Sequence, residues 1–155
     1  CNNAGNNQVI NSTEGVLYAE ISALADDSSE REITISDGTS NNRLVLKFTG
    51  SNIINAFTIS SLGATGFSVA TATNNPIITQ FNKIAVSFNS SNAYLFVNGV
   101  LIGSDVITNV LGANLNKISF ANASDTNQFF RGNCKDLRVY TTALTDSELI
   151  ALTTI

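Results

Sequence analysis

Apolar and polar residues alternate at every second position in run after run of this chain, and one kind of element fits that period. In NKIAVSFN (82–89), Ile84, Val86 and Phe88 fall on one side, and Lys83, Ala85 and Ser87 on the other. A strand turns successive side chains to opposite faces, whereas a helix would scatter these residues around its circumference. The pattern recurs in GVLYAEIS (15–22), REITIS (31–36), RLVLKFT (43–49), NIINAFTIS (52–60), GFSVATA (66–72), LNKISFANA (115–123) and NCKDLRVYT (133–141). AYLFVNGVLIGSD (93–105) sets Asn98-Gly99 between two apolar runs. That pair suits a type I′ hairpin turn, whose two central residues both need positive φ. The connecting text is Gly, Asn, Ser, Asp and Thr, which permit or satisfy turn backbone. Short antiparallel strands at this spacing predict an all-β fold, an antiparallel β-sandwich of jelly-roll type.

The period changes once, at the end of the chain. Thr145-Asp146-Ser147-Glu148 fits a capping box, with Thr145 capping the first turn and Glu148 reaching back. A short C-terminal helix is therefore expected, with Leu144, Leu149 and Leu152 turned toward the sandwich.

Of the 155 residues, 43% are hydrophobic and 13% charged, a balance that supports a single folded domain. Residues 1–10 read as a flexible lead-in and 11–155 as the sandwich. The net charge is −4, and the eight Lys and Arg are scattered, which argues against nucleic-acid binding. No apolar run is long enough to span a bilayer, so no membrane insertion is expected. The chain has no His, the commonest general base and the usual partner of a Ser or Cys nucleophile. It also has no Trp, the largest stacking surface for a sugar. Cys1 and Cys134 either bridge the N-terminus to the last strand, or leave Cys134 as a half-buried thiol.

Three chemistries are open to the polar residues. Glycoside hydrolysis needs two carboxylates about 5–10 Å apart across a cleft. Glu30 and Glu32 share a face near Asp26 and Asp27 but read as charge on a strand edge, so no enzymatic activity is expected. Calcium, the one candidate cofactor, would need several oxygen ligands. Asp26, Asp27 and Asp37 are the carboxylates available, with Asn41 and Asn42 nearby; the competing reading of Asp37-Gly38 is a plain turn. Sugar binding needs planar aromatics among amide and guanidinium groups. Asn41, Asn42 and Arg43 in one segment, and Asn127, Gln128, Phe130 and Arg131 in another, supply such a set. Tyr18, Tyr94 and Tyr140 face away from the apolar sides of their strands, for stacking or for packing.

FNKIAVSFNSSNAYLFVNGVLIG (81–103), FFRGNCKDLRVYTTALTDSELIAL (129–152) and STEGVLYAEISAL (12–24) together resemble the laminin-G-like branch of the concanavalin A-like lectin/glucanase fold. The detailed text is most similar to the version found in bacteriophage tail-fibre and other virion proteins. In one departure, the family's usual Asp-Gly hairpin is Asn98-Gly99 here, which keeps the turn and loses a carboxylate. The resemblance implies a jelly roll that binds sugars or proteins, in some members with calcium at the rim. The expected function is a non-catalytic module recognising a host-surface glycan, on a virion surface or otherwise extracellular. The alternatives are a structural domain contacting other virion chains and, third, a glycan hydrolase.

Overall fold

A computed structural model describes residues 10–155. Among them are ten strands: β1 (Gly15–Ala23), β2 (Arg31–Ser36), β3 (Arg43–Phe48), β4 (Ile54–Ile59), β5 (Thr65–Ala70), β6 (Asn82–Phe88), β7 (Asn92–Val97), β8 (Val100–Val106), β9 (Lys117–Ser119) and β10 (Gly132–Tyr140). One helix, α1 (Asp146–Thr153), follows. The strands form two antiparallel five-stranded sheets, ordered β10-β1-β6-β7-β8 and β5-β4-β3-β2-β9. This is the expected sandwich. Its core lies between the sheets, where Leu17, Ile21, Ile84 and Val86 meet Ile33, Leu44, Leu46 and Ile54. Ile10, placed in the lead-in by sequence, is buried in the same core, while residues 1–9 lie outside the described residues.

The β7–β8 hairpin turns at Asn98 (φ 52°) and Gly99 (φ 80°), the positive pair that a type I′ turn needs. The Asn98 side chain adds two bonds of its own. Its Oδ1 accepts from the Lys83 backbone N–H at 2.9 Å, and its Nδ2 donates to Asn82 Oδ1 at 2.8 Å. A carboxylate could not make the second.

The capping box forms as expected. Thr145 Oγ1 accepts from the Glu148 N–H at 3.4 Å, and Glu148 Oε2 accepts from the Thr145 N–H at 2.8 Å. Leu149, with Leu144 and Leu152, packs on Val16, Tyr18, Ala85 and Phe96, on the outer face of the β1-containing sheet. Ala85 and Ser87 point outward by alternation yet are buried. Tyr18, Tyr94 and Tyr140 belong to this second cluster, so the tyrosines pack under and around α1.

The helix closes one outer face of the sandwich and leaves the other free of helix. On that second sheet, one expectation is corrected. Glu32 is not on an open strand edge: β9 pairs with β2 at Thr34–Ser36, and the chain beyond β9 covers the rest of the strand. The segment 120–131 after β9 then folds back over β2. Thr34 Oγ1 donates to the Ala121 carbonyl at 3.0 Å, and the Glu32 N–H donates to the Gln128 carbonyl at 3.0 Å. Glu32 is left 1% exposed.

Cys134, expected to be half-buried, is exposed on β10. Its possible partner Cys1 lies outside the described residues. Among the described residues no helix is long and apolar enough to cross a membrane.

Candidate functional site

Register builds a polar grid on the open face. Glu32 stands opposite Lys47, which stands opposite Asn55. Thr34 stands opposite Val45, then Phe57, then Ser68. Ser36 stands opposite Arg43, then Ile59. Apart from the buried Arg31 at the start of β2, the inward partners on β2, β3 and β4 are Ile, Leu, Phe, Ala and Thr, so period two places the remaining charge on the outside.

Arg43 leans diagonally across the grid. Its Nη1 lies 3.9 Å from Glu32 Oε2, and its guanidinium carbon lies 5.8 Å from the Phe57 ring centre. Lys47 Nζ lies 2.8 Å from Glu30 Oε1 and 3.7 Å from Glu32 Oε1. Gln128 Nε2 donates to the other Glu30 oxygen at 2.5 Å. An alternating ladder, Arg43–Glu32–Lys47–Glu30, therefore runs from the sheet to the 120–131 wall.

The two ends of this ladder differ electrically. Burial pushes the Glu32 carboxyl above the usual range, against the opposing pull of Lys47 and Arg43. Glu30 is held below that range, chiefly by its hydrogen bond with Lys47. Glu32 Oε2 and Arg43 Nε are both buried without a hydrogen-bond partner; the 3.9 Å ion pair between their side chains is too long to be one. Buried polar atoms left unpaired are costly, and they mark places where another group can complete the set.

Where the ladder meets the wall, a pocket of about 330 Å³ opens, lined by Ser29, Glu30, Thr126, Asn127, Gln128, Phe129 and Arg131. Three residues named from sequence, Asn127, Gln128 and Arg131, thus come together. Phe130 turns inward, its ring centre 5.8 Å from that of Phe48 and 6.1 Å from that of Phe120. The aromatic lining the pocket is its neighbour Phe129, 47% exposed. In an extended segment adjacent residues face opposite ways, so the Phe-Phe pair signalled one ring in and one out without saying which.

Arg43 stands on the grid, but Asn41 and Asn42 sit at the far end of β2. Asn42 is buried at φ 53°. Its Nδ2 donates to Asp37 Oδ2 and the Ala113 carbonyl, and its Oδ1 accepts from the Gly112 N–H at 2.7 Å. It is a strut between two loops. Asn41 is exposed beside Gly63.

The carboxylates named for calcium are dispersed. Asp27 pairs with Arg31 at 2.6 Å and accepts from the Ser29 N–H. Asp37 accepts from the Thr39 N–H and hydroxyl at the opposite end of β2, and Asp26 is exposed. Among the described residues no three His, Cys, Asp or Glu side chains are grouped to hold a metal. Lys47, Asn55, Phe57 and Phe129 were not singled out from sequence. For Lys47, Asn55 and Phe57 the available signal was their alternation with the apolar residues of β3 and β4; Phe129 lies in no strand.

Residues 17–150 match the family model of the laminin G type described as the concanavalin A-like lectin/glucanases superfamily. No curated protein sequence matches the chain. Among solved structures, the chain is similar to the CBM40 of the Ruminococcus gnavus IT-sialidase, at a TM-score of 0.73 and 16% identity, covering 92% of this chain and 84% of that one. It is similar to the leech intramolecular trans-sialidase, at 0.71 and 19%, covering 94% of this chain and 24% of that one. The NanB sialidase from Streptococcus pneumoniae gives 0.75 and 13%, with coverage of 94% and 24%. The chain therefore spans about a quarter of the two whole sialidases and most of the Ruminococcus module. With the sandwich, its closing helix and a family match over most of the described residues, this chain belongs to the concanavalin A-like lectin/glucanase superfamily.

Proposed function

We propose that the chain is a non-catalytic glycan-recognition module that binds on the open sheet face, between the Arg43–Glu32–Lys47–Glu30 ladder and the 120–131 wall. The observation that carries this reading is the juxtaposition, on the face free of helix, of half-buried donors and acceptors with two aromatic rings. A sugar presents hydroxyls at its rim and C–H groups on its faces. It is held by fixed polar groups beside flat apolar surfaces. Phe57 and Phe129 supply the surfaces; Arg43, Asn55, Asn127 and Gln128 supply the polar groups. The Ruminococcus module has been solved bound to α2,3- and α2,6-sialyllactose, which supports a glycan ligand for this chain. Glu30 and Glu32 both engage Lys47 from one side of the face. They do not oppose each other across a cleft as hydrolysis requires, which supports binding over turnover. The resemblance to virion proteins favours an extracellular or virion-surface setting, with a host glycan as partner.

One observation favours a protein partner as a second reading. β8 is an edge strand that exposes Val100, Leu101 and Val106, and exposed apolar edges invite contact with other chains.

A glycan and bacterial-polysaccharide array, run with calcium and again with chelator, tests the proposal. Selective binding to one glycan class is expected, with Phe57→Ala weakening it about tenfold, the scale of a lost aromatic contact. Silence of the folded protein across the panel, together with a stable oligomer by light scattering, would transfer the reading to the β8 edge.

A further inference from the structure

We infer that the pocket beside Phe129 selects a sugar bearing a carboxylate, with Arg131 as the group that pairs with it. This rests on the glycan reading above and names the charge class of its ligand.

Two charged side chains line the pocket, Glu30 and Arg131. Glu30 is fully engaged: one oxygen takes Lys47 and the other takes Gln128. The Arg131 guanidinium has no hydrogen bond or ion pair within the described residues, and the residue is exposed. The unsatisfied charge of the pocket is therefore positive, and it is a guanidinium, whose planar fork matches a carboxylate through two parallel bonds.

The backbone around it is built to stay in place. Arg31 is 1% exposed. Its Nε donates to the Arg131 carbonyl at 3.0 Å, Nη1 to the Ser29 carbonyl at 2.9 Å, and Nη2 to the Ala25 carbonyl at 3.1 Å and Asp27 Oδ1 at 2.6 Å. Ser29 and Arg131, both pocket residues, thus hang on one buried guanidinium whose charge Asp27 balances. The backbone of the rim is already fixed, so binding has to order only the Arg131 side chain. A neutral sugar would offer Arg131 only hydroxyl acceptors, whereas a carboxylate offers charge-assisted paired bonds, which are roughly twice as strong. The exposed Phe129 ring can take the sugar face, and the Asn127 amide its hydroxyls. A volume of about 330 Å³ suits one sugar ring, near the lower end of ligand pockets.

The test is calorimetric titration of the chain with matched pairs: 3′-sialyllactose against lactose, glucuronate-terminated against glucose-terminated disaccharide, and 6-sulfogalactose against galactose. The carboxylate member of the first two pairs is expected to bind at least tenfold tighter, with the advantage shrinking at high salt. Arg131→Gln should abolish that advantage with no change in Tm, and Arg131→Lys should restore part of it. Equal affinity within the carboxylate pairs, or a preference surviving in Arg131→Gln, overturns the inference while leaving glycan recognition intact. A stronger preference for the sulfated sugar overturns the carboxylate assignment. Failure to bind any member, acidic or neutral, overturns both readings together.

Discussion

Two acidic side chains five residues apart, Asp27 and Glu32, respond to pH in opposite senses. Asp27 is held down to about 2, first by its hydrogen bond from Arg31 and then by the Ser29 N–H. Its folded value lies below the unfolded one, so its contribution is present above about pH 4 and is lost as pH falls toward 2. Glu32 is raised, first by burial. Its folded form takes up a proton more readily than its unfolded form, so the folded state is favoured at low pH and loses that advantage as pH rises through the raised value. Thermal unfolding of the native chain, Asp27→Asn and Glu32→Gln between pH 2 and 8 separates the two. Asp27→Asn should lower Tm at pH 7 and approach the native chain near pH 2. Glu32→Gln should match or exceed the native Tm at pH 7 and converge with it below pH 4. A large drop for Glu32→Gln at pH 7 would mean that its ion pairs outweigh its desolvation. At this scale the sequence was only partly readable. Arg43, Asn127, Gln128 and Arg131 were found by residue type, but Asn42 has the same type and is a buried strut. Burial separates them, since Gln128 shares the positive φ of Asn42 but is not buried, and burial is not written in a loop of Asn and Ser.

At the scale of elements, α1 has eight residues, too few to persist alone in water. It depends on its capping box and on Leu149. Thr145→Ala is expected to cost about 1 kcal/mol, and Leu149→Ala about 2–5 kcal/mol because it empties a buried site between α1 and the sheet. Urea denaturation measures both, and a Leu149→Ala cost under about 0.5 kcal/mol would show that the helix is not docked as described. The strands and this helix were readable because period two, Asn-Gly and the capping box are local signals. The return of 120–131 over β2 was not. It is fastened largely through main-chain groups, the Ala121 and Gln128 carbonyls and the Glu32 N–H, and a main-chain bond has no side-chain signature. That single omission made Glu32 look like an exposed edge charge and hid the wall of the pocket.

At the scale of the molecule, the two outer faces of the sandwich have separate assignments. One is covered by α1 over an apolar patch of Val16, Tyr18, Ala85 and Phe96. The other keeps a charged ladder, two partly exposed aromatic rings and a pocket. A net charge of −4 gives no long-range pull on an acidic glycan, so selectivity has to come from placed cations at short range, where screening is weak. On the proposed reading, ligand recognition occupies the open face. The most direct measurement is an amide and side-chain NMR titration of the isotopically labelled chain with its best-binding glycan. Shifts are expected only at Arg43, Lys47, Asn55, Phe57 and the 126–131 wall, with α1 and β10 silent. Shifts centred on β8, on the 37–42 and 111–114 loops, or on the helix face would contradict it.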